Sequence, residues 1–121
     1  MIIKNYKIPN FSPAYPVSRF GDKNNILFVD IETTGFSPTT SIIYLIGCLR
    51  RDGDTIIIDQ FLAENKKEEK EALIAFMELI KDKTTIISFN GVGFDVPFIK
   101  AKCDVYGITQ HLKNYGVYSP V

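Results

Sequence analysis

The sequence predicts an α/β protein built on one mixed β-sheet, and three observations lead to this prediction. Four short apolar runs have the length and composition of buried strands. The first three runs follow one another through short breaks, whereas the fourth comes after a helical pattern. A second helical pattern follows the fourth run. The predicted order of elements is therefore β-β-β-α-β-α.

The first three predicted strands form an antiparallel unit. The run ILFVDIE begins at Ile26 and ends in two carboxylates, and a second run, IIYLIGCLR, occupies residues 42–50. The third run, TIIIDQFLA at 55–63, follows the sequence Arg-Asp-Gly-Asp at 51–54. Asp-Gly tolerates the positive φ of a tight turn, so these residues predict a hairpin.

Two helices are predicted from the spacing of apolar residues. In the first, over residues 66–82, apolar residues recur at i, i+3, i+4 and i+7 and form one face. The second, Phe94–Tyr106, has Pro97 in its first turn and Gly107 just after its end, which are the positions that these residue types favour. The fourth strand, TTIISF at 84–89, lies between the two helices.

These elements predict how the strands are ordered in the sheet. A strand that follows a helical crossover usually joins the sheet in parallel, beside a strand already present. We therefore expect the strand order 3-2-1-4, with the first and fourth strands parallel and adjacent. Residues 1–25 are expected to form an irregular arm with one short strand near Ile2 and Ile3, residues 26–108 the core, and residues 109–121 a C-terminal tail.

The composition narrows the class of protein. The chain has 121 residues, which is the size of one domain, and 14 basic residues balance 14 acidic ones. A formal net charge of zero argues against a protein that coats DNA by charge alone, although bound divalent cations can supply positive charge at a nucleic-acid site.

The sequence also bears on the compartment. No apolar run approaches the roughly 18 residues of a membrane span, and the N-terminus lacks the apolar core of a signal peptide. We therefore expect a cytoplasmic protein that does not bind a membrane. Cys48 and Cys103 are too few and too far apart for a disulfide framework or a zinc site, so we expect both to be reduced and packed.

Three carboxylates are expected to converge where the two parallel strands end. Asp30 and Glu32 are two residues apart in the first strand, so their side chains point to one face. Asp95 starts the second helix, just after the adjacent fourth strand. Neighbouring carboxylates repel unless a positive charge offsets their charge or one of them is protonated, and three convergent carboxylates suit Mg²⁺ or Mn²⁺. The alternatives are a helix N-terminal acid for Asp95 and a solvated strand end for the other two.

The same residues resemble the motifs of a known family. DIETTG at 30–35 and NGVGFDVPF at 90–98 closely resemble the first two motifs of the DEDD superfamily of 3′–5′ exonucleases. The sequence IIYLIG at 42–47 is most similar to the bacterial YprB-type branch of that superfamily. The resemblance covers roughly residues 26–108 and implies a ribonuclease-H-like fold. It also implies a metal-dependent nuclease that hydrolyses phosphodiester bonds of DNA or RNA, as a 3′–5′ exonuclease.

The resemblance assigns the metal site. Asp30, Glu32 and Asp95 match three of the four metal-binding acids of the family. Family members hold two Mg²⁺ or Mn²⁺ ions between those acids and the scissile phosphate, so a two-metal mechanism is implied.

The resemblance also assigns residues to the substrate. Thr33, Thr34 and Gly35 match the segment that approaches the terminal nucleotide, and Asn90 and Phe94 match positions near it. The implied partner is a nucleic acid with a single-stranded 3′ end. The alternatives are a capped turn for Thr33 and Thr34, and simple core packing for Phe94.

The chain departs from the family pattern after its second helix. The family has a fourth acid on a later helix, four residues after a Tyr or five after a His. Here the last acid is Asp104, and neither His111 nor Tyr115 has an acid at that spacing. Only fourteen residues follow Gly107, which we take as too few for the fifth strand and last helix of the fold.

The departure leads to two further expectations. A C-terminally incomplete sheet leaves the strand at 84–89 as an exposed apolar edge, which a homodimer or a partner chain would cover. The alternative to a nuclease is a truncated, non-catalytic module that binds nucleic acid or serves assembly.

Overall fold

The structure is a computed structural model that describes residues 1–9, 25–83, 85–88, 94–110, 112 and, by their backbone, 116–118. Strands and helices follow one another in these residues as β1 (Ile2–Ile8), β2 (Ile26–Thr33), β3 (Ile43–Asp52), β4 (Thr55–Leu62), α1 (Lys66–Ile80), β5 (Thr85–Ser88), α2 (Asp95–Tyr106) and β6 (Gly116–Tyr118). The predicted α/β class is confirmed, and every predicted strand and helix is present.

The strands form one mixed sheet in the order β1-β4-β3-β2-β5-β6. The pairs β1–β4, β4–β3 and β3–β2 are antiparallel, whereas β2–β5 and β5–β6 are parallel. The predicted order 3-2-1-4 is present as the four strands β4-β3-β2-β5, with the parallel pair adjacent as expected. β2 is therefore an inner strand, hydrogen-bonded on both sides.

The predicted strand near Ile2 and Ile3 is present, but it is longer than expected, so residues 2–8 of the N-terminal arm are not irregular. We expected at most a short strand near Ile2 and Ile3, but seven residues form β1 and pair with β4 along their whole length. All seven are exposed, so they lack the alternation of buried and exposed residues that identifies a strand from sequence. The Asn5 amide also donates to the carboxylate of Asp59 on β4, at 2.6 Å.

β6 corrects the prediction that the fifth strand is missing. Gly116–Tyr118 pairs in parallel with Thr85–Ile87, on the side of β5 away from β2. We judged the residues after Gly107 too few for a strand and a helix together, but a strand of three residues needs only part of them. Within the strand expected to be an exposed edge, Thr85–Ile87 is thus paired on both sides, so the structure gives no support to the dimer expected there. The described residues after Gly107 include no α-helix.

The turns and helix ends follow the predicted chemistry. Gly53 has φ 61° in the turn that joins β3 to β4, and Gly107 has φ 67° just after α2. Both conformations are left-handed, which glycine adopts without steric cost. At the start of α1, the Asn65 side chain accepts a hydrogen bond from the Glu68 amide at 2.9 Å.

The core lies between one face of the sheet and the two helices. β2 buries Leu27, Val29 and Ile31 on that face. The helices supply Leu73, Phe76, Met77, Ile80, Val96, Phe98, Ile99 and Cys103. These include the whole predicted apolar face of α1. Each fully buried aliphatic or aromatic side chain stabilises the fold by about 1.5–3 kcal/mol, so this layer fixes the sheet and the strand ends relative to the helices.

Both cysteines are free and buried, as expected. Burial raises the pKa of the Cys103 thiol to about 11, and it also raises the pKa of the Cys48 thiol. The thiols are therefore protonated at neutral pH and act as small apolar side chains.

None of the helices in the described part of the chain has the length and apolar character needed to span a membrane.

Candidate active site

Asp30 and Glu32 stand on the same face of β2. Burial alternates along the strand, with Val29 and Ile31 buried and the two carboxylates exposed. Because side chains of a strand point alternately to its two faces, the carboxylates face away from the helices. They lie near the C-terminal end of β2, which is an inner strand of the sheet.

A bulge in β3 lies directly beside this strand end. Glu32 pairs with Leu45 and Thr33 pairs with Ile43, so Tyr44 is an extra residue that opposes no residue of β2. Bulges bend a strand, and they are common next to active sites, where they re-aim a side chain. Here the bulge lies next to the point where β2 leads into the turn that follows Thr33.

Asp95 starts α2 with a carboxyl group that is 0% exposed. The Ser88 hydroxyl, at the end of β5, donates to its Oδ2 at 3.1 Å. Ser88 is opposite Val29 in the parallel ladder, so the start of α2 meets the end of β2. The other oxygen, Oδ1, is buried and has no hydrogen-bond partner. A buried carboxylate oxygen left in this state is unfavourable unless a donor or a cation serves it.

The surroundings of Asp95 raise its pKa from 3.8 to about 6. Burial is the largest cause, because it disfavours the charged form. The negative charges of Asp30 and Glu32 raise the pKa further, whereas hydrogen bonds from the Ser88 hydroxyl and the Ile31 backbone amide lower it. The three carboxylates therefore share one electrostatic neighbourhood.

The three acids do not form a ready-made metal cluster. Among the described side chains, no group of three or more His, Cys, Asp or Glu residues is arranged so that it could hold a metal ion. The residues still fit a hard cation in their chemistry, since a buried, unpaired carboxylate oxygen lies near two exposed carboxylates.

The loop of residues 34–42 joins β2 to β3 beside the carboxylates, and we call it the 34–42 loop. Thr34 and Ile42 exchange two hydrogen bonds, from the Thr34 amide to the Ile42 carbonyl and from the Ile42 amide to Thr34 Oγ1, each at 3.0 Å. The Thr33 hydroxyl donates to the Gly35 carbonyl at 2.7 Å. Both hydroxyls thus serve the turn itself, which agrees with the capped-turn alternative. Thr34 accepts in its contact, so its hydroxyl keeps a proton to donate.

Gly35 packs tightly against the other arm of the same loop. A β-carbon at this position would lie 2.5 Å from Oγ of Ser41, which is buried. Real side chains do not approach so closely, so the loop needs glycine or a displaced Ser41. The sequence led us to expect that the Gly35 backbone approaches a nucleotide closely. In the structure, Gly35 closely approaches Ser41 of its own loop.

An aromatic pair stands next to the acids. Phe36, in the 34–42 loop, is 93% exposed, and its ring meets the ring of Phe94 edge-on with 6.4 Å between centroids. Phe94 also lies 5.4 Å from Phe98 and packs on the core, so core packing accounts for part of its role. Sequence reasoning missed Phe36, although an aromatic residue in a polar loop after two carboxylates was a usable signal.

The structure does not describe every residue that the sequence analysis considered for the site. Asn90, His111 and Tyr115 lie outside the described residues. Asp104 is exposed on α2, where Gln110 donates to it at 3.5 Å.

A buried ion pair lies beneath the 34–42 loop. Glu69 on α1 and Lys102 on α2 are 0% and 4% exposed, and 3.2 Å separates Lys102 Nζ from Glu69 Oε1. Lys102 also donates to the Ser41 carbonyl, while Glu69 accepts from the Ile43 amide at 2.6 Å and from the Tyr106 hydroxyl. Sequence reasoning missed this pair, because Glu and Lys on a helix usually indicate a solvated face.

Comparisons with known proteins identify related sequences. The sequence profile of the RNase_H superfamily matches residues 27–121. The "Uncharacterized protein YprB" of Bacillus subtilis (strain 168) is 32% identical over 82 residues, which are 67% of this chain and 20% of YprB. A DNA polymerase of Methanocaldococcus jannaschii is 38% identical over 50 residues, which are 41% of this chain and 3% of the polymerase. The chain thus spans a fifth or less of these relatives.

Solved structures of exonuclease I have a similar fold. The apo enzyme aligns with a TM-score of 0.55 at 18% identity, over 78% of this chain and 28% of that chain. Escherichia coli exonuclease I in complex with a dT13 oligonucleotide gives a TM-score of 0.56 at 18% identity, over 78% of this chain and 27% of that chain. At this identity the likeness concerns the fold alone. Together with the profile match over most of its length, the observed topology shows that the chain belongs to the RNase_H superfamily.

Proposed function

We propose that this chain is a metal-dependent nuclease domain that hydrolyses phosphodiester bonds of DNA or RNA, as a 3′–5′ exonuclease. The observation that carries the proposal is the buried Asp95 carboxyl group, whose Oδ1 has no partner and lies near the carboxylates of Asp30 and Glu32. A buried carboxylate with a raised pKa next to two others is typical of a functional site. Family membership and the fold shared with exonuclease I support the same class of reaction.

In this proposal Asp30, Glu32 and Asp95 would hold Mg²⁺ or Mn²⁺. Such ions, when bound, make water a better nucleophile and stabilise negative charge on the scissile phosphate. Ser88 orients Asp95 by binding Oδ2, and this leaves Oδ1 for a ligand. Ile31, buried between the two exposed acids of β2, anchors them to the core.

The 34–42 loop would contact the substrate. The exposed ring of Phe36 offers a flat apolar face on which a base of any type can stack. The Thr34 hydroxyl can donate to a phosphate or sugar oxygen, since it accepts from Ile42 and keeps its proton. The family resemblance adds four residues to those that would contact the substrate, namely Thr33, Gly35, Asn90 and Phe94. The structure of exonuclease I with an oligonucleotide supports a single-stranded substrate.

A cleavage assay on 5′-labelled single-stranded DNA and RNA with Mn²⁺ tests the proposal. We expect a ladder that shortens from the 3′ end, and a rate at least about a hundredfold lower in Asp30→Asn, Glu32→Gln and Asp95→Asn. The matched control is Asp54→Asn, which removes an exposed carboxylate in the β3–β4 turn, and it should keep the parental rate. Full activity of Asp95→Asn would contradict a role for this acid, and equal activity of all variants would indicate a contaminating nuclease.

The second candidate is a non-catalytic module that binds nucleic acid or serves assembly. It is favoured by the spacing of the three acids, which in the described part of the chain do not form a cation-binding group. Fluorescence anisotropy with a labelled single strand, run beside the cleavage assay, separates the two candidates. Binding by well-folded protein without cleavage in Mn²⁺ would support the module.

A further inference from the structure

Helix α2 holds the 34–42 loop at two separate points. Near its start, the ring of Phe94 meets the ring of Phe36 with 6.4 Å between centroids. Two turns further along, the Lys102 ammonium group donates to the Ser41 carbonyl, at the other end of the loop. The loop is therefore attached to the helix through both of its arms.

Helix α1 holds the residue that follows the loop, Ile43, through Glu69. Its Oε2 accepts from the Ile43 amide at 2.6 Å, and its Oε1 lies 3.2 Å from Lys102 Nζ. The Tyr106 hydroxyl donates to the same carboxylate. The two charges are thus buried together, and both of them also bind backbone groups at the end of the loop.

Stability alone does not explain this arrangement. Taking two charges out of water is unfavourable, and an apolar pair of similar volume often serves a core equally well. An apolar pair, however, could not bind the Ser41 carbonyl or the Ile43 amide. What the ion pair adds is a fixed position for residues 41–43 relative to both helices.

The contacts continue from residues 41–43 into the candidate site. Ser41 Oγ lies where a β-carbon of Gly35 would be, and Ile42 exchanges two hydrogen bonds with Thr34. Phe36 follows Gly35 directly in the chain. Any shift of Ser41 is therefore passed to the residues that face the proposed substrate.

We propose that Glu69 and Lys102 are positioning residues, which fix the 34–42 loop so that Thr34 and Phe36 meet the terminal nucleotide. The consequence for catalysis rests on the proposed nuclease function, whereas the effect on the loop does not. The carboxylates of Asp30 and Asp95 do not depend on this contact, because β2 and Ser88 hold them. Loosening the loop should thus weaken substrate binding and leave metal binding intact.

The test is the double variant Glu69→Leu/Lys102→Met, which removes both charges together and leaves no lone buried charge. The matched control is Asp59→Leu/Arg50→Met, which removes the ion pair between β4 and β3, with 3.0 Å between Arg50 Nε and Asp59 Oδ2. Amide hydrogen exchange at Thr34 and Ile43 should become at least about tenfold faster in the first variant than in the control.

Activity and metal binding are two further readouts. A positioning role should change the first and leave the second unchanged, whereas a merely structural role would affect both. In the first double variant, KM for a short single strand should rise at least about fivefold, while the rise in Tm with Mn²⁺ stays parental. A second variant, Glu69→Gln/Lys102→Met, keeps an acceptor for the Ile43 amide. It also guards against a failure of the first variant to fold. It should speed exchange at Thr34 but not at Ile43.

The outcomes distinguish this inference from the proposed function. Unchanged exchange at Thr34 in both variants would overturn the inference, and so would faster exchange with an unchanged KM. If the parent chain shows no cleavage, the nuclease proposal fails. The dissociation constant for the same strand, measured by anisotropy, then replaces KM in the comparison, and an unchanged value would overturn the positioning role.

Discussion

Asp95 has a carboxyl group in a place where stability alone would favour a neutral side chain. It is fully buried, and only one of its two oxygens accepts a hydrogen bond from a side chain. Its sequence context, at the first position of a helix, is shared by many purely structural acids. The burial and the nearby charges of Asp30 and Glu32 separate it from that ordinary case.

The raised pKa of Asp95 makes a prediction about stability and pH. The pKa in the folded state is about 6, above the ordinary 3.8, so the group favours folding below about pH 4 and this contribution is lost as pH rises through 6. Asp95→Asn should therefore be more stable than the parent at pH 7.5, by up to about 3 kcal/mol at about 1.4 kcal/mol for each pKa unit. Urea unfolding in EDTA between pH 4 and pH 8 measures the difference, which should approach zero at pH 4. A difference that stays constant with pH would contradict a raised pKa.

Other residues of the site depend on environments that their letters do not encode. Ser88 ends an apolar strand and did not stand out beside the carboxylates, whereas Phe36, an aromatic residue in a polar loop, was a signal that sequence reasoning missed. The shared face of Asp30 and Glu32 was predictable, because alternation along a strand places residues two apart on one face. The role of Ser88 required knowledge that β5 ends next to β2 and leads into Asp95.

At the level of elements, the parallel pair β2–β5 brings the residues of the candidate site together, and β6 pairs with the other edge of β5. Ile86 and Ile87 are buried in β5, which β6 covers on one side. The crossover rule predicted the neighbour on the other side, β2, from the helix that precedes β5. It could not predict β6, because a strand of three residues has too few positions for a periodic signal.

Removal of β6 should expose an apolar strand edge. A chain ending at residue 115 lacks Gly116–Tyr118, so the backbone groups of β5 on that side lose their partners. Such an edge can pair with another chain, so we expect self-association that increases with concentration. Sedimentation velocity measures it, with a chain ending at residue 118 as the control. A monodisperse monomer for both chains would show that β6 does not protect the edge.

At the level of the whole molecule, the proposed function requires that the candidate site, and not the overall charge, attract nucleic acid. The formal net charge is zero, so long-range attraction to a phosphate backbone is weak. Under the proposed nuclease function, cations held by Asp30, Glu32 and Asp95 would supply positive charge at the candidate site. Metal binding should therefore be measurable without any substrate.

Mn²⁺ should raise the melting temperature of the whole domain. A ligand present at ten times its dissociation constant stabilises the folded state by about 1.4 kcal/mol, which raises Tm by about 5 °C for a domain of this size. Thermal melting with increasing Mn²⁺ measures the shift, and Asp95→Asn should show little of it. The control Asp54→Asn should keep the full shift. No shift in the parent at millimolar Mn²⁺ would favour the non-catalytic module.

The sequence by itself determined the features that depend on neighbours along the chain. Apolar periodicity and turn residues predicted β2 to β5 and both helices, and the crossover rule predicted that β2 and β5 are parallel neighbours. The two sequence motifs predicted the family. They also led to the prediction, which stays a prediction, that Asp30, Glu32 and Asp95 form a metal site. These signals are local, since a strand, a helix or a motif is written in a few consecutive residues.

Only the tertiary structure decided the features that join distant parts of the chain. Lys102 binds Ser41 across 61 residues, and Glu69 binds Ile43 across 26. The same holds for β1, which is paired with β4, and for the buried state of Asp95. A charged residue in a sequence looks the same whether it will be solvated or enclosed, because packing sets its partners and the free energy of its charge.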